Sequence, residues 1–106
     1  MQRQETQNII ETLRHFNETT NEKGFKIVAI FGSYARGTQD SFSDIDLLYK
    51  IDHELFYKDD AFAKLAALES IKKDLEQLFH KKIDLIPVNT KNKQLQNSLQ
   101  KEKIAV

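Results

Sequence analysis

The run Gly32-Ser33-Tyr34-Ala35-Arg36-Gly37, followed after a short spacer by Ser43-Asp44-Ile45-Asp46-Leu47-Leu48, constrains this chain more than any other stretch. Just before it lies Phe25-Lys26-Ile27-Val28-Ala29-Ile30-Phe31, short, apolar and rich in β-forming residues, which predicts a buried strand. Gly32 breaks that strand. Ser33 is a good N-cap and Gly37 a good helix stop, so about one or two helical turns are expected between them. Residues 38–43 are polar and turn-like. Residues 44–51 then read as a second strand. A strand, a glycine break, a short helix and a second strand in such close order require a mixed α and β architecture.

The flanking sequence fits that frame. Ile9, Ile10, Leu13 and Phe16 recur at helical spacing, which predicts an amphipathic helix over residues 3–20, ending before Gly24. Residues 53–60 have no period and read as a loop. Phe62, Leu65, Leu68, Ile71, Leu75, Leu78 and Phe79 mark a long amphipathic helix. Its Lys72, Lys73, Asp74 and Glu76 are expected mostly on the solvent side. Residues 82–88 predict a third strand, with Pro87 near its end and therefore at an edge or terminus. Leu95 and Leu99 suggest a final helix, and the apolar ending Ile104-Ala105-Val106 is expected to pack on the domain or on a partner. The expected fold class is α/β (α+β), a small mixed sheet with helices packed on it, in one domain over residues 1–106.

Composition narrows the function classes. Among 106 residues, 16 Lys and Arg balance 16 Asp and Glu, so the net charge is zero. That argues against extended nucleic-acid binding, which rests on many basic contacts to phosphate. There is no cysteine, which excludes disulfides and thiolate metal sites. No apolar run approaches the roughly 18–20 residues that span a bilayer, and Met1-Gln2-Arg3-Gln4-Glu5 lacks the apolar stretch of a signal peptide. A cytoplasmic protein without membrane contact is expected.

Chemistry concentrates at the carboxylates. On a strand, residues i and i+2 face the same way, so Asp44 and Asp46 project together while Ile45 and Leu47 turn to the core. Asp84 sits in a similar setting, between Ile83 and Leu85. If the third strand lies beside the second, Asp84 completes a three-carboxylate cluster. At about 5 Å and an effective dielectric near 20, each like-charged pair costs roughly 3 kcal/mol. Such a cluster either raises a pKa or holds a cation. Oxygen-only donors favour magnesium or manganese over zinc. The competing reading is that the pair forms the wet face of an antiparallel sheet. Gly32 lets backbone approach a ligand closely, and the helix start at Ser33 suits phosphate; the plain alternative is a turn with its cap. Arg36 either contacts phosphate or pairs with a nearby acid. Tyr34 and Phe42 read as packing residues.

Taken together, Gly32-Ser33-Tyr34-Ala35-Arg36-Gly37 and Ser43-Asp44-x-Asp46-Leu47 resemble the signature of the nucleotidyltransferases of the DNA polymerase β superfamily, and the short chain resembles its minimal nucleotidyltransferase branch. The spacer lacks the proline often found there. The resemblance implies that Asp44, Asp46 and Asp84 bind one or two magnesium ions and act catalytically. It also implies that Gly32 and Ser33, with Arg36 nearby, hold the triphosphate of a donor such as ATP. The implied reaction is in-line attack of an acceptor hydroxyl on the α-phosphorus by a two-metal mechanism. Chains of this branch are often antitoxins paired with a HEPN-domain RNase toxin, silenced by adenylylation of a tyrosine. Rival expectations are an antitoxin that acts by binding alone, and a transferase for a small molecule or a nucleic-acid end. Leu55, Phe56, Tyr57 and the apolar C-terminus are candidate partner contacts.

Overall fold

The computed structural model describes residues 2–40, 42–89 and 103–106. In chain order its elements are α1 (Gln2–Thr20), a 3-10 turn (Asn21–Lys23), β1 (Phe25–Phe31), α2 (Ser33–Arg36), β2 (Ile45–Ile51), α3 (Ala61–Phe79), β3 (Ile83–Pro87) and β4 (Ile104–Ala105). The four strands form one mixed sheet in the order β3-β2-β1-β4. β1 runs antiparallel to both β2 and β4, whereas β2 and β3 are parallel. That parallel pair is the one joined by the long helix α3, as parallel neighbours require a crossover. Among the described residues no helix is long and apolar enough to cross a membrane.

Local chemistry explains the boundaries. Gly24 takes a left-handed conformation (φ 88°) and its N–H donates to the Asn21 carbonyl at 3.0 Å, which closes the end of the first helical segment. Asp60 caps α3, its carboxylate accepting from the Ala63 N–H at 2.9 Å. Pro87 is the last residue of β3, an edge strand, where a missing N–H is tolerated.

The core lies between one face of the sheet and helices α1 and α3. Ile9, Ile10 and Leu13 of α1 and Leu75 of α3 meet Phe25, Ile27, Ile30, Ile45, Leu47 and Ile83 there. A bulge interrupts β1 between Ile27 and Ala29. The bulge shifts the alternation, so Ala29 and Phe31 turn to the opposite face and pack with Leu48, Val28 and Ile86. A bulge leaves backbone groups without ladder partners, and here α1 supplies them. The buried Asn17 side chain donates from Nδ2 to the Ile27 carbonyl and accepts from the Ile27 N–H, each at 2.8 Å.

The helix expected around Leu95 and Leu99 lies outside the described residues. Ile104-Ala105 forms a short strand on the free edge of β1, and the Val106 N–H donates to the Val28 carbonyl at 3.0 Å. The apolar ending therefore packs on this chain. On α3, Leu75 is buried and Leu68, Ile71 and Phe79 pack on the core, but Phe62, Leu65 and Leu78 are exposed. The apolar residues wrap further round the helix than the sheet can cover. Phe56 is a core residue whose ring is tilted against that of Phe25, with centroids 5.9 Å apart, and is no surface contact, whereas Leu55 and Tyr57 are exposed.

Candidate functional site

Register brings the acids together. β1 and β2 pair so that Phe31 lies opposite Asp46, and β2 and β3 pair so that Asp46 lies opposite Asp84. The Ile45 N–H donates to the Lys82 carbonyl at 3.0 Å, which holds the starts of β2 and β3 level. Ile45, Leu47 and Ile83 are fully buried on the helix side. Their strand neighbours Asp46 and Asp84 therefore face the opposite side of the sheet, with Asp44 one residue before β2.

Because Phe31 pairs with Asp46, the residue after it is set against that carboxylate. Gly32 has φ 74° and ψ −148°, a region essentially restricted to glycine. A β-carbon there would fall on Asp46 Oδ2 and lie 3.2 Å from its Cγ. Glycine is required twice over, by its backbone and by the acid that fills the space of its missing side chain.

The helix after Gly32 is a single turn. The N-cap position belongs to Gly32 and not, as the sequence suggested, to Ser33, which is the first helical residue; no side chain caps the turn. The Arg36 N–H donates to the Gly32 carbonyl at 3.1 Å, and the Thr38 N–H to the Ser33 carbonyl at 3.0 Å. Gly37 ends the turn in the left-handed region at φ 75°. The N–H groups at the start of such a turn have no partner within it. Tyr34 anchors α2 in the core, as expected of a packing residue. Its carbonyl accepts from Thr6 Oγ1 and its hydroxyl donates to Glu5 Oε1, each at 3.3 Å. Burial pushes the Tyr34 hydroxyl pKa up, opposed by the nearby Lys81.

Electrostatics mark Asp46. Its pKa is pushed up to about 6, first by burial, then by a hydrogen bond with Asp84 and the charges of Asp84 and Asp44; Arg36 pulls the other way. A proton on Asp46 relieves a repulsion that a divalent cation would relieve equally well. Among the described residues no three His, Cys, Asp or Glu side chains are already gathered tightly enough to grip an ion. Asp46 and Asp84 touch, and Asp44 is within electrostatic reach. This hard-oxygen donor set fits magnesium or manganese.

The structure thus gathers Asp44, Asp46, Asp84, Gly32 and Arg36, with Ser33 on the adjoining turn. Phe42 departs from expectation: it is 91% exposed. Two supporting residues had no sequence signal of their own. Asn17 lies one position beyond the apolar stripe of α1, and only its pairing with the bulged strand reveals its role. The Tyr34 hydroxyl shows its partners only once α1 and α2 are packed together.

Comparison with known proteins places this arrangement. The sequence model of the family described as "Polymerase beta, Nucleotidyltransferase" matches residues 7–106. A relative from Methanocaldococcus jannaschii, named "Putative protein adenylyltransferase", is 40% identical over 83 residues, spanning 77% of this chain and 87% of the relative. A solved structure described as "Structure of putative minimal nucleotidyltransferase" superposes with a TM-score of 0.69 at 22% identity, covering 95% of each chain. A second, "Crystal structure of the toxin-antitoxin with AMP-PNP", gives a TM-score of 0.61 at 23% identity, covering 94% of this chain and 70% of that one. At those identities the two structures establish similarity of fold.

Proposed function

This chain belongs to the polymerase β nucleotidyltransferase family, and from that premise we propose that it transfers AMP from ATP to a hydroxyl of a protein, a tyrosine of a cognate HEPN RNase toxin that it thereby neutralises. The observation that carries the transfer reading is the register of Asp46 against Asp84 with Gly32 folded onto the Asp46 carboxylate. The protein acceptor and the toxin rest on likeness: the M. jannaschii relative is named for protein adenylylation, and one structural neighbour is a toxin–antitoxin complex holding AMP-PNP.

In this reading Asp44, Asp46 and Asp84 would hold one or two magnesium ions. When bound, magnesium neutralises the triphosphate and lowers the pKa of the attacking hydroxyl. The Gly32 backbone, Ser33 and the first N–H groups of α2 bind the triphosphate oxygens. Arg36, whose charge reaches Asp46, balances the phosphate side of the site. The acceptor oxygen forms a bond to the α-phosphorus as the α–β phosphoanhydride bond breaks. The hydroxyl proton passes to Asp84, and pyrophosphate leaves.

Replacing Asp44 and Asp46 together with Asn tests the reading, with labelled ATP and the product of the adjacent gene as acceptor. Loss of label with the thermal transition retained is expected. Undiminished labelling by the double variant would sink the assignment. Protection from the toxin by that same variant would instead establish neutralisation by binding alone.

A further inference from the structure

The spacer between α2 and β2 is built to hold one aromatic ring in water. Asp40 Oδ1 accepts from the Phe42 N–H at 2.8 Å and from Ser43 Oγ at 3.3 Å. Ser43 Oγ also accepts from the Asp40 N–H at 2.9 Å, and the Ser43 N–H donates to the Asp40 carbonyl at 3.2 Å. These bonds tie the turn to itself, yet Phe42 stands 91% exposed. Phenylalanine is among the residues most often buried. Singly exposed apolar residues are ordinary in themselves; this one is distinguished by its hydrogen-bonded support and its place. It lies two residues before Asp44, so the two Cα atoms are at most about 7 Å apart. The ring is therefore carried on the segment that leads directly into the carboxylate site.

We propose that Phe42 is an acceptor-recognition residue, and that it takes an apolar side chain of a protein segment flanking the reacting hydroxyl. This rests on the transfer reading above and adds the acceptor's local chemistry to it. The charge around the ring favours a protein over a nucleic acid. Asp40 accepts from the Phe42 backbone N–H and Asp44 follows two residues on, and the whole chain carries no net positive charge to draw a nucleic-acid backbone. An apolar ring next to an acidic pair suits an aliphatic or aromatic neighbour of the modified residue.

The chain contains no tryptophan, so Phe42→Trp introduces a single fluorescent reporter at this position. Two synthetic peptides serve as probes, Ser-Leu-Tyr-Leu-Ser and Ser-Ser-Tyr-Ser-Ser, alongside magnesium–ATP and a short oligonucleotide. The leucine peptide is expected to shift the emission to the blue at concentrations where the serine peptide and magnesium–ATP do not. In labelling assays, Phe42→Ser should lower kcat/KM for the leucine peptide by about tenfold or more, the scale of losing a buried Phe side chain. It should also erase the preference between the two peptides while leaving ATP affinity unchanged. A response to magnesium–ATP alone would overturn the proposal and make the ring a platform for the nucleotide base. A response only to the oligonucleotide, or to neither peptide, would overturn it as well, as would equal labelling of both peptides by the unsubstituted chain. The emission titration needs no turnover, so failure of this proposal is read apart from failure of the transfer reading, which would appear as absence of labelling on every acceptor.

Discussion

Replacing Gly32 with Ala isolates the packing that builds the site. Two costs are visible. The backbone at φ 74° and ψ −148° is one that alanine avoids, worth about 1–3 kcal/mol of strain. The new β-carbon would also meet Asp46 Oδ2, with Asp46 Cγ at 3.2 Å and Cβ at 3.5 Å behind it. The carboxylate can yield only by turning away from Asp84 or by spreading β1 from β2, at a further cost of about 1–3 kcal/mol. We expect a total loss of roughly 2–6 kcal/mol by urea denaturation. At about 4–8 °C per kcal/mol for a domain near this size, the melting temperature should fall by roughly 10 °C or more. Asp46→Ala provides the internal check. It removes the atoms that the new methyl would strike, so Gly32→Ala should cost about 1 kcal/mol less in that background, while the backbone strain persists. Gly37 is a second control. Its φ of 75° and ψ of 22° lie in the left-handed region that Asn tolerates, so Gly37→Asn should cost under about 1 kcal/mol. A Gly32→Ala variant within about 0.5 kcal/mol of the parent, or one whose cost is the same with and without the Asp46 carboxylate, would refute the reasoning.

Four further variants have expected outcomes. Asp46 holds its proton up to about pH 6 in the folded chain, whereas the unfolded chain releases it near pH 4. The unfolded state therefore binds fewer protons between those values, and this group's contribution to stability falls as pH rises from about 4 to about 6. Asp46→Asn should remove that slope from metal-free melting curves, and a parent whose difference from the variant is flat with pH would contradict the shift. Asn17→Leu leaves both polar groups of Ile27 buried without partners, and should cost about 2–5 kcal/mol by urea denaturation. Tyr34→Phe deletes only a hydroxyl bonded to Glu5 at 3.3 Å, with an expected loss under about 1.5 kcal/mol. Tyr34→Ala opens the core beneath α2 and should cost about 3–5 kcal/mol by the same measurement.

How much of this was legible in the sequence divides along physical lines. Strand β1 carries its apolar run from Phe25 to Phe31, and its bounds were read directly because a glycine stands at either side. Helix α1 announces itself through the spacing of Ile9, Ile10, Leu13 and Phe16. The edge position of Pro87 follows from its missing N–H. The failures are equally specific. Phe62, Leu65 and Leu78 share the helical period of buried residues, but periodicity cannot say how wide a stripe the sheet will cover. Strand β4 is two residues long and exists because β1 had a free edge, which no local pattern reports. Phe42 looked like packing because its side chain is apolar, whereas its turn is held by Asp40 and Ser43 and turns it outward.

By itself the sequence determined the pieces of the site: a glycine at a strand end, two acids two residues apart at the start of a strand, although Asp44 falls just before β2 and not on its face, and a third acid on another strand. Those depend on local backbone chemistry and on the two-residue period of a strand. Only the tertiary structure decided that Asp84 lies beside Asp46, that Phe31 opposite Asp46 brings Gly32 onto the carboxylate, and that Asn17 secures the bulge in β1. Those are questions of register between segments distant in the chain. Register is set by burying one face of each strand together with its neighbours, and no segment contains that information alone.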